Sequence, residues 1–292
     1  MSARTETADL HQTKRGARVG YWIGRVAIYM ALFFFGILYM APFVWMLSTS
    51  VKPGFEVFVI PPKWIPSSFQ WSNFTDAWIG GSFPQFYWNT IKMTVFDILA
   101  TLASCSLVAF GFARMRFRGR DFLFLLVLAT MMLPGQVTLI PVYVLWSKLG
   151  LVNSLWPLMI PYLFATPFNI FLLRQFMMTI PIEYDDAARI DGASWFQIYS
   201  RVVLPMCSPV LGVIAIFSFT YHWNDFLGPL IYLNEERNFV ISLGLQMLNS
   251  RYAMAIQQTM AQTIIAIVPV LVVFFIAQKY YIQGIVISGV KG

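Results

Sequence analysis

Six apolar runs, separated by short polar clusters, set the reading of this 292-residue chain. Residues 26–47 carry no charge at all and are long enough to cross a hydrocarbon core as one helix. Runs of similar character cover residues 93–113, 122–144, 155–173, 206–232 and 260–278. The pattern predicts an all-α integral membrane protein with six transmembrane helices, and an even number of spans puts both termini on one side. Prolines interrupt the third and fourth runs (Pro134, Pro141, Pro157, Pro161, Pro167). Each removes a helix hydrogen bond, which a membrane tolerates only where protein or water satisfies the freed carbonyl. Kinked helices around a cavity and plain packing kinks both meet that condition.

Composition confirms the solvent. Hydrophobic residues make up 58% of the chain and charged residues 11%, against roughly a quarter charged in soluble domains. The first apolar run is too long for a signal-peptide core and has no small-residue cleavage site after it, so it reads as a retained helix. With both ends inside, inner segments hold 14 of the 20 Lys and Arg, including the run Arg114, Arg116, Arg118 and Arg120. Outer segments hold 6, such as Lys52, Lys63 and Arg237. This bias places the termini in the cytoplasm. It also accounts for the net charge of +7, and no basic stripe on a soluble domain points to nucleic acid. Cys105 and Cys207 read as buried free thiols.

One cytoplasmic segment is unlike the rest. Residues 181–205 are polar and locally detailed. Pro181 suits the first position of a helix, and Glu183, Asp185 and Asp186 place negative charge at its positive end. Gly192 fits a left-handed stop, and Ser194 with Gln197 fits a capping box that opens a second helix at once. A segment so specified reads as a rigid docking element.

Its spacing resembles the cytoplasmic loop of bacterial binding-protein-dependent ABC importers: Glu-Ala-Ala, three residues, Gly, nine residues, Ile, one residue, Leu-Pro. Here Asp186-Ala187-Ala188 is followed at those intervals by Gly192, Val202 and Leu204-Pro205, with Asp for Glu and Val for Ile. The run from Ala187 to Ala193 (Ala-Ala-Arg-Ile-Asp-Gly-Ala), and Trp223-Asn224-Asp225-Phe226, are similar to the carbohydrate (maltose-type) branch. The resemblance implies a type I ABC importer permease fold. Residues 1–25 are then a cytoplasmic tail, 26–49 the first span and 50–86 an extracytoplasmic loop. Residues 87–282 form a five-span permease core with its coupling loop at 179–205, and 283–292 a cytoplasmic tail. The implied ATPase-coupling residues are Glu183, Asp186, Ala187, Ala188, Asp191, Gly192, Ala193, Leu204 and Pro205.

The resemblance also implies the partners: a second permease in a heterodimer, two cytoplasmic ABC ATPase subunits and an extracytoplasmic solute-binding protein carrying a sugar or sugar derivative. The chain has no Gly-Lys pair and hence no Walker A loop. ATP and magnesium are accordingly expected on the ATPase subunits, with no cofactor, metal site or catalytic residue here. Inside the spans, Asp97, His222 and Asp225 are the ionisable groups, and such groups face an interior or a wet cavity. His222, Trp223, Asn224 and Asp225 either line a translocation pathway or hold helices together by hydrogen bonds. Asp97, near the outer end of its span, is expected to reach the headgroups or to pair with Lys92. Competing readings are an ABC permease for an amino acid or peptide, a proton-coupled transporter using Asp97 and Asp225, and a membrane-embedded transferase. The last would use the acids of the 181–205 segment, which helix-dipole compensation already explains.

Overall fold

In the computed structural model, backbone is described for residues 3–251 and 256–289, and side chains for 21–247 and 256–278. Every regular element among the described residues is helical. The first helix, α1 (Ala3–Ser50), runs without a break from the polar N-terminal stretch through the first apolar run. It is followed by a loop with one 3-10 turn (Gly54–Glu56) and by α2 (Ser72–Ile79). The long α3 (Phe83–Arg114) comes next, then α4 (Arg120–Thr130) and α5 (Gly135–Lys148), α6 (Trp156–Met159) and α7 (Pro167–Thr179). The polar segment holds α8 (Glu183–Ile190), α9 (Trp195–Gln197), a wide π-type turn (Ile198–Val203) and α10 (Leu204–Met206). The remainder is α11 (Ser208–Trp223), α12 (Leu227–Tyr232), α13 (Ile241–Arg251) and α14 (Ile256–Gly289). The expected C-terminal tail therefore begins as helix, and residues 290–292 and the tail's side chains lie outside the described residues.

Four helical stretches are long and apolar enough to cross a membrane: residues 21–50, 83–114, 156–179 and 256–278. The other two apolar runs are not straight helices. The hydropathy of residues 122–144 predicts one span, yet α4 and α5 meet at 92°. The bend falls at Pro134, whose extended backbone (ψ 133°) opens α5. The run at 206–232 is likewise divided. The helix entering α11 turns by 76° at Cys207, and α11 stops at Trp223 before α12 begins. Counting each bent pair as one span gives up to six.

Two packed regions lie toward opposite ends of α3. One joins Cys105, Ala109, Phe110 and Phe112 of α3 to Leu173 and Met177 of α7 and to Ile198, Tyr199 and Val203 of the polar segment. The other packs Phe83 and Phe86 against Trp223, Ile241 and Ala266. Side-chain amides stitch loops over this second end. Asn89 Nδ2 donates to the carbonyls of Arg237 and Phe239 at 2.9 and 3.0 Å, and Asn73 Nδ2 to those of Ser50 and Lys52, both at 2.9 Å.

The 50–86 loop is an ordered cover. Glu56, buried beneath it, accepts from the Ser67 N–H at 3.0 Å and from Lys63 Nζ at 3.2 Å. Ser67 first and Lys63 second hold the Glu56 carboxyl down to about 2. A carboxyl depressed in the folded state stabilises it fully above the unfolded value, 4.5, and loses that contribution as pH falls toward 2. The melting temperature of Glu56→Gln is therefore expected to lie below wild type at neutral pH, with the gap closing between pH 4.5 and 2. A gap that did not change with pH would mean that the charge of Glu56 does not hold the loop. Lys52 is fully buried beside this site, its Nζ 3.8 Å from the Trp45 ring centroid, and burial lowers its pKa.

Candidate functional site

The polar segment folds as its residue types dictate. At the end of α8, Gly192 takes φ +82°, the left-handed conformation that L side chains resist. Its N–H bonds the Arg189 carbonyl at 3.0 Å while the Ala193 N–H reaches back to Ala188 at 2.9 Å. This doubly bonded glycine stop satisfies two carbonyls that a helix end leaves open. Ser194 then opens α9 with both halves of the capping box: its N–H donates to Gln197 Oε1 at 2.7 Å, and the Gln197 N–H to Ser194 Oγ at 3.3 Å. Pro181 sits just ahead of the helix rather than at its first position, since α8 starts at Glu183 after an Ile182 cap. The outcome is two short helices joined by a turn with no slack.

Glu183, Asp186, Ala187, Asp191, Gly192 and Pro205 are exposed on this segment, and Ala188, Ala193 and Leu204 are partly buried. Ala188, Asp191, Gly192 and Ala193 line an open concavity of ≈ 280 Å³ together with Gln197, Arg201 and Val202. Large apolar side chains stand beside it: Ile190 is 88% exposed and Phe196 68%. A stiff, small-residue surface flanked by projecting apolar groups is suited to entering a groove on another protein.

One acid differs from its neighbours. Asp185 reads in the sequence as part of a helix-dipole cluster, but its side chain is 2% exposed and lies 3.2 Å from Arg114 Nε, itself 5% exposed, at the end of α3. Arg114 Nη2 also donates to the Ile180 carbonyl at 2.9 Å. Burial raises the Asp185 pKa and Arg114 opposes that rise, while Asp186 adds to it. Nothing in the sequence pairs residues so far apart; the available signal was one carboxylate too many for a dipole.

The intramembrane groups do come together. Asp97 is fully buried on α3, with Oδ2 3.3 Å from His222 Nδ1 on α11. It reaches neither headgroups nor Lys92, because its register on α3 points it at α11. The Tyr162 ring stands edge-on to His222, with centroids 4.3 Å apart. Trp223 is buried: its Nε1 donates to the Ala266 carbonyl at 3.0 Å and its ring stacks on Phe219 at 5.3 Å. Asp225 Oδ1 accepts from the Gly228 N–H at 3.2 Å, capping α12. Asn224 is exposed, its Nδ2 donating to the Thr220 carbonyl at 2.8 Å. All four predicted pathway residues thus make contacts within the chain, and of them Asn224 is the exposed one.

Known proteins bear on the same segments. Residues 105–287 match the family described as binding-protein-dependent transport system inner membrane component. The arabinooligosaccharides transport system permease of Bacillus subtilis is 31% identical over 271 residues, covering 92% of this chain and 96% of the relative. The lactose transport system permease of Rhizobium radiobacter is 29% identical over 266 residues, covering 91% and 93%. The fold is shared with a chain in the crystal structure of a bacterial ABC transporter involved in alginate import, with a TM-score of 0.81 over 89% of this chain and 96% of that one at 24% identity. A doubly capped loop at the family's spacing, a helical membrane fold and a family match over most of the length agree: this chain belongs to the binding-protein-dependent transport system inner membrane components, the permeases of ABC importers.

Proposed function

We propose that this chain is one of two permease subunits, in a heterodimer, of an importer for a sugar or oligosaccharide. An extracytoplasmic binding protein delivers the solute, and two cytoplasmic ATPase subunits hydrolyse ATP with its magnesium. The observation that carries this reading is the rigid loop of residues 179–205, which presents Ala187, Ala188 and Gly192 at the spacing of the family. The sugar class rests on relatives named for arabinooligosaccharides and lactose. Closure of the ATPase pair on ATP pushes the loop, and a loop without slack passes that displacement into the spans. Asn224, exposed beside Tyr221, offers an amide and an aromatic face to a polyhydroxylated ring, and His222, Trp223 and Asp225 brace that surface from behind. In liposomes holding the whole complex, oligosaccharide uptake is expected to require ATP and binding protein together. Asn224→Ala is expected to change uptake affinity or solute preference while leaving the ATPase bound. Uptake driven by a proton gradient without ATP would overturn the reading.

Taking each bent pair as one span gives six; both termini and the loop are then cytoplasmic, an arrangement that the 14 to 6 basic bias supports. The inner turn and the loop share one end of α3, since Arg114 holds both Asp185 and Ile180. Native Cys105 and Cys207 are buried and give no background to thiol labelling. A cysteine replacing exposed Ser68 is expected to react with an impermeant reagent on intact cells, and one replacing exposed Arg118 only after lysis. The reverse pattern would invert the topology and put the loop beyond any cytoplasmic ATPase.

A further inference from the structure

We infer that α3 is the rod through which the loop acts on the far end of the permease, and that the Arg114–Asp185 pair is the joint fastening loop to rod. The inference rests on the reading above, that the loop is where the ATPase pushes. At 1.5 Å per residue the 32 residues of α3 extend about 48 Å, more than a bilayer core. One stiff element therefore touches every working part. Over its last turns are Arg114 on Asp185, Phe110 edge-on to Tyr199 at 5.3 Å, and Ser106 Oγ against the Tyr199 hydroxyl at 2.8 Å. Halfway along it is Asp97 against His222 of α11. Toward its start, Thr90 Oγ1 accepts from the Ile241 N–H at 2.8 Å, and Asn89 ties down Arg237 and Phe239. Between the loop and that far end, α3 supplies an unbroken helix, beside the shorter α11 that follows the loop in the chain.

The joint is built for register. Phe110, Ile198, Tyr199 and Val203 form an apolar seam, to which the Ser106–Tyr199 hydroxyl pair adds a polar contact. Arg114 is held at two points: its guanidinium meets the Ile180 carbonyl just before α8 and the Asp185 carboxylate in its first turn. One directional hydrogen bond to Ile180 and one buried charge contact to Asp185 together set where α8 stands against the end of α3. Buried ion pairs commonly add little net stability against apolar replacements of similar volume. That separates a positioning role from a structural one.

The test uses the full complex in liposomes with its binding protein and measures ATPase retention, ATP hydrolysis, solute uptake and melting temperature. Asp185→Asn and Arg114→Met are expected to keep the ATPase bound and hydrolysing, while uptake per ATP falls by about tenfold, within the range carried by single coupling positions. The apolar pair Arg114→Met with Asp185→Leu is expected to regain the wild-type melting temperature and remain uncoupled. Wild-type uptake per ATP in the single variants, or recovery of uptake along with melting temperature in the double variant, would overturn the joint. So would a double variant that fails to assemble, since the pair would then be holding the fold. Loss of the ATPase from the unmodified complex would strike the docking reading itself.

Discussion

Gly192→Val is expected to abolish ATP-driven uptake while the chain still inserts, and the ATPase is expected to fall away on purification. The cause is conformational. A Cβ on Gly192 would meet nothing within 4 Å, but the backbone sits at φ +82°. An ordinary L residue there costs about 1–2 kcal/mol, and a β-branched one more. That strain is relieved most easily by unwinding the turn, which releases the Gly192 and Ala193 hydrogen bonds and lets α8 swing against α9. A graded series separates conformation from bulk. Asn, which tolerates the left-handed region, is expected to retain most uptake, with Ala intermediate and Val inactive. An inactive Asn variant beside an active Val variant would point to surface contact instead. Wild-type uptake in the Gly192→Val complex would remove this loop from the coupling machinery.

Gly244→Ala is expected to be as damaging for the opposite reason, because Gly244 is needed for space. A Cβ there would stand 2.6 Å from Cε2 and 2.8 Å from Cγ of Phe86, and closer still to Cδ2. Phe86 is fully buried, backed by Phe239 at 6.1 Å between ring centroids, so its ring has nowhere to go. Overpacking of this kind costs about 1–3 kcal/mol or more. The expected result is a lower melting temperature and a poor yield of assembled complex. Pairing it with Phe86→Leu, which opens room at the contact, is expected to restore part of both. A melting temperature unchanged in Gly244→Ala would show that α13 and α3 separate more readily than their packing implies.

These two glycines mark what the sequence did and did not disclose. Gly192 was legible because its partners are its neighbours: Asp186-Ala187-Ala188 before it, Ser194 and Gln197 after it. Capping chemistry acts over three or four residues and can be read at that range. Gly244 carried no such sign, since its reason is a ring on another helix. Asp185 with Arg114, and Asp97 with His222, were hidden in the same way. Each partner was visible as an ionisable group, but pairing across helices depends on how they pack. The spans were legible from hydropathy as lengths of chain. Where they bend was only half so: Pro134 announced a break but not the 92° between α4 and α5, and Pro205 and Pro209 flank Cys207 without disclosing its 76° turn. Trp223 was open to two readings, solute platform or helix brace, and its N–H bond to the Ala266 carbonyl is a contact that only the packing reveals.

The first helix raises a different matter. The most apolar stretch of α1 has no residue buried against the rest of the chain. Its C-terminal end, however, is held firmly: Trp45 meets Trp64 edge-on at 5.1 Å, Ser48 donates to the Trp64 carbonyl, and Asn73 grips Ser50. A helix held at one end, in contact with α14 and exposed over residues 21–40, takes the tilt of that exposed part from whatever surrounds it. In lipid that tilt answers to bilayer thickness, at a fraction of a kcal/mol per ångström of mismatch. Trp64 and Asn73 thereby join that lipid-answering tilt to the 50–86 loop, so uptake measured in bilayers of graded chain length is expected to vary with thickness.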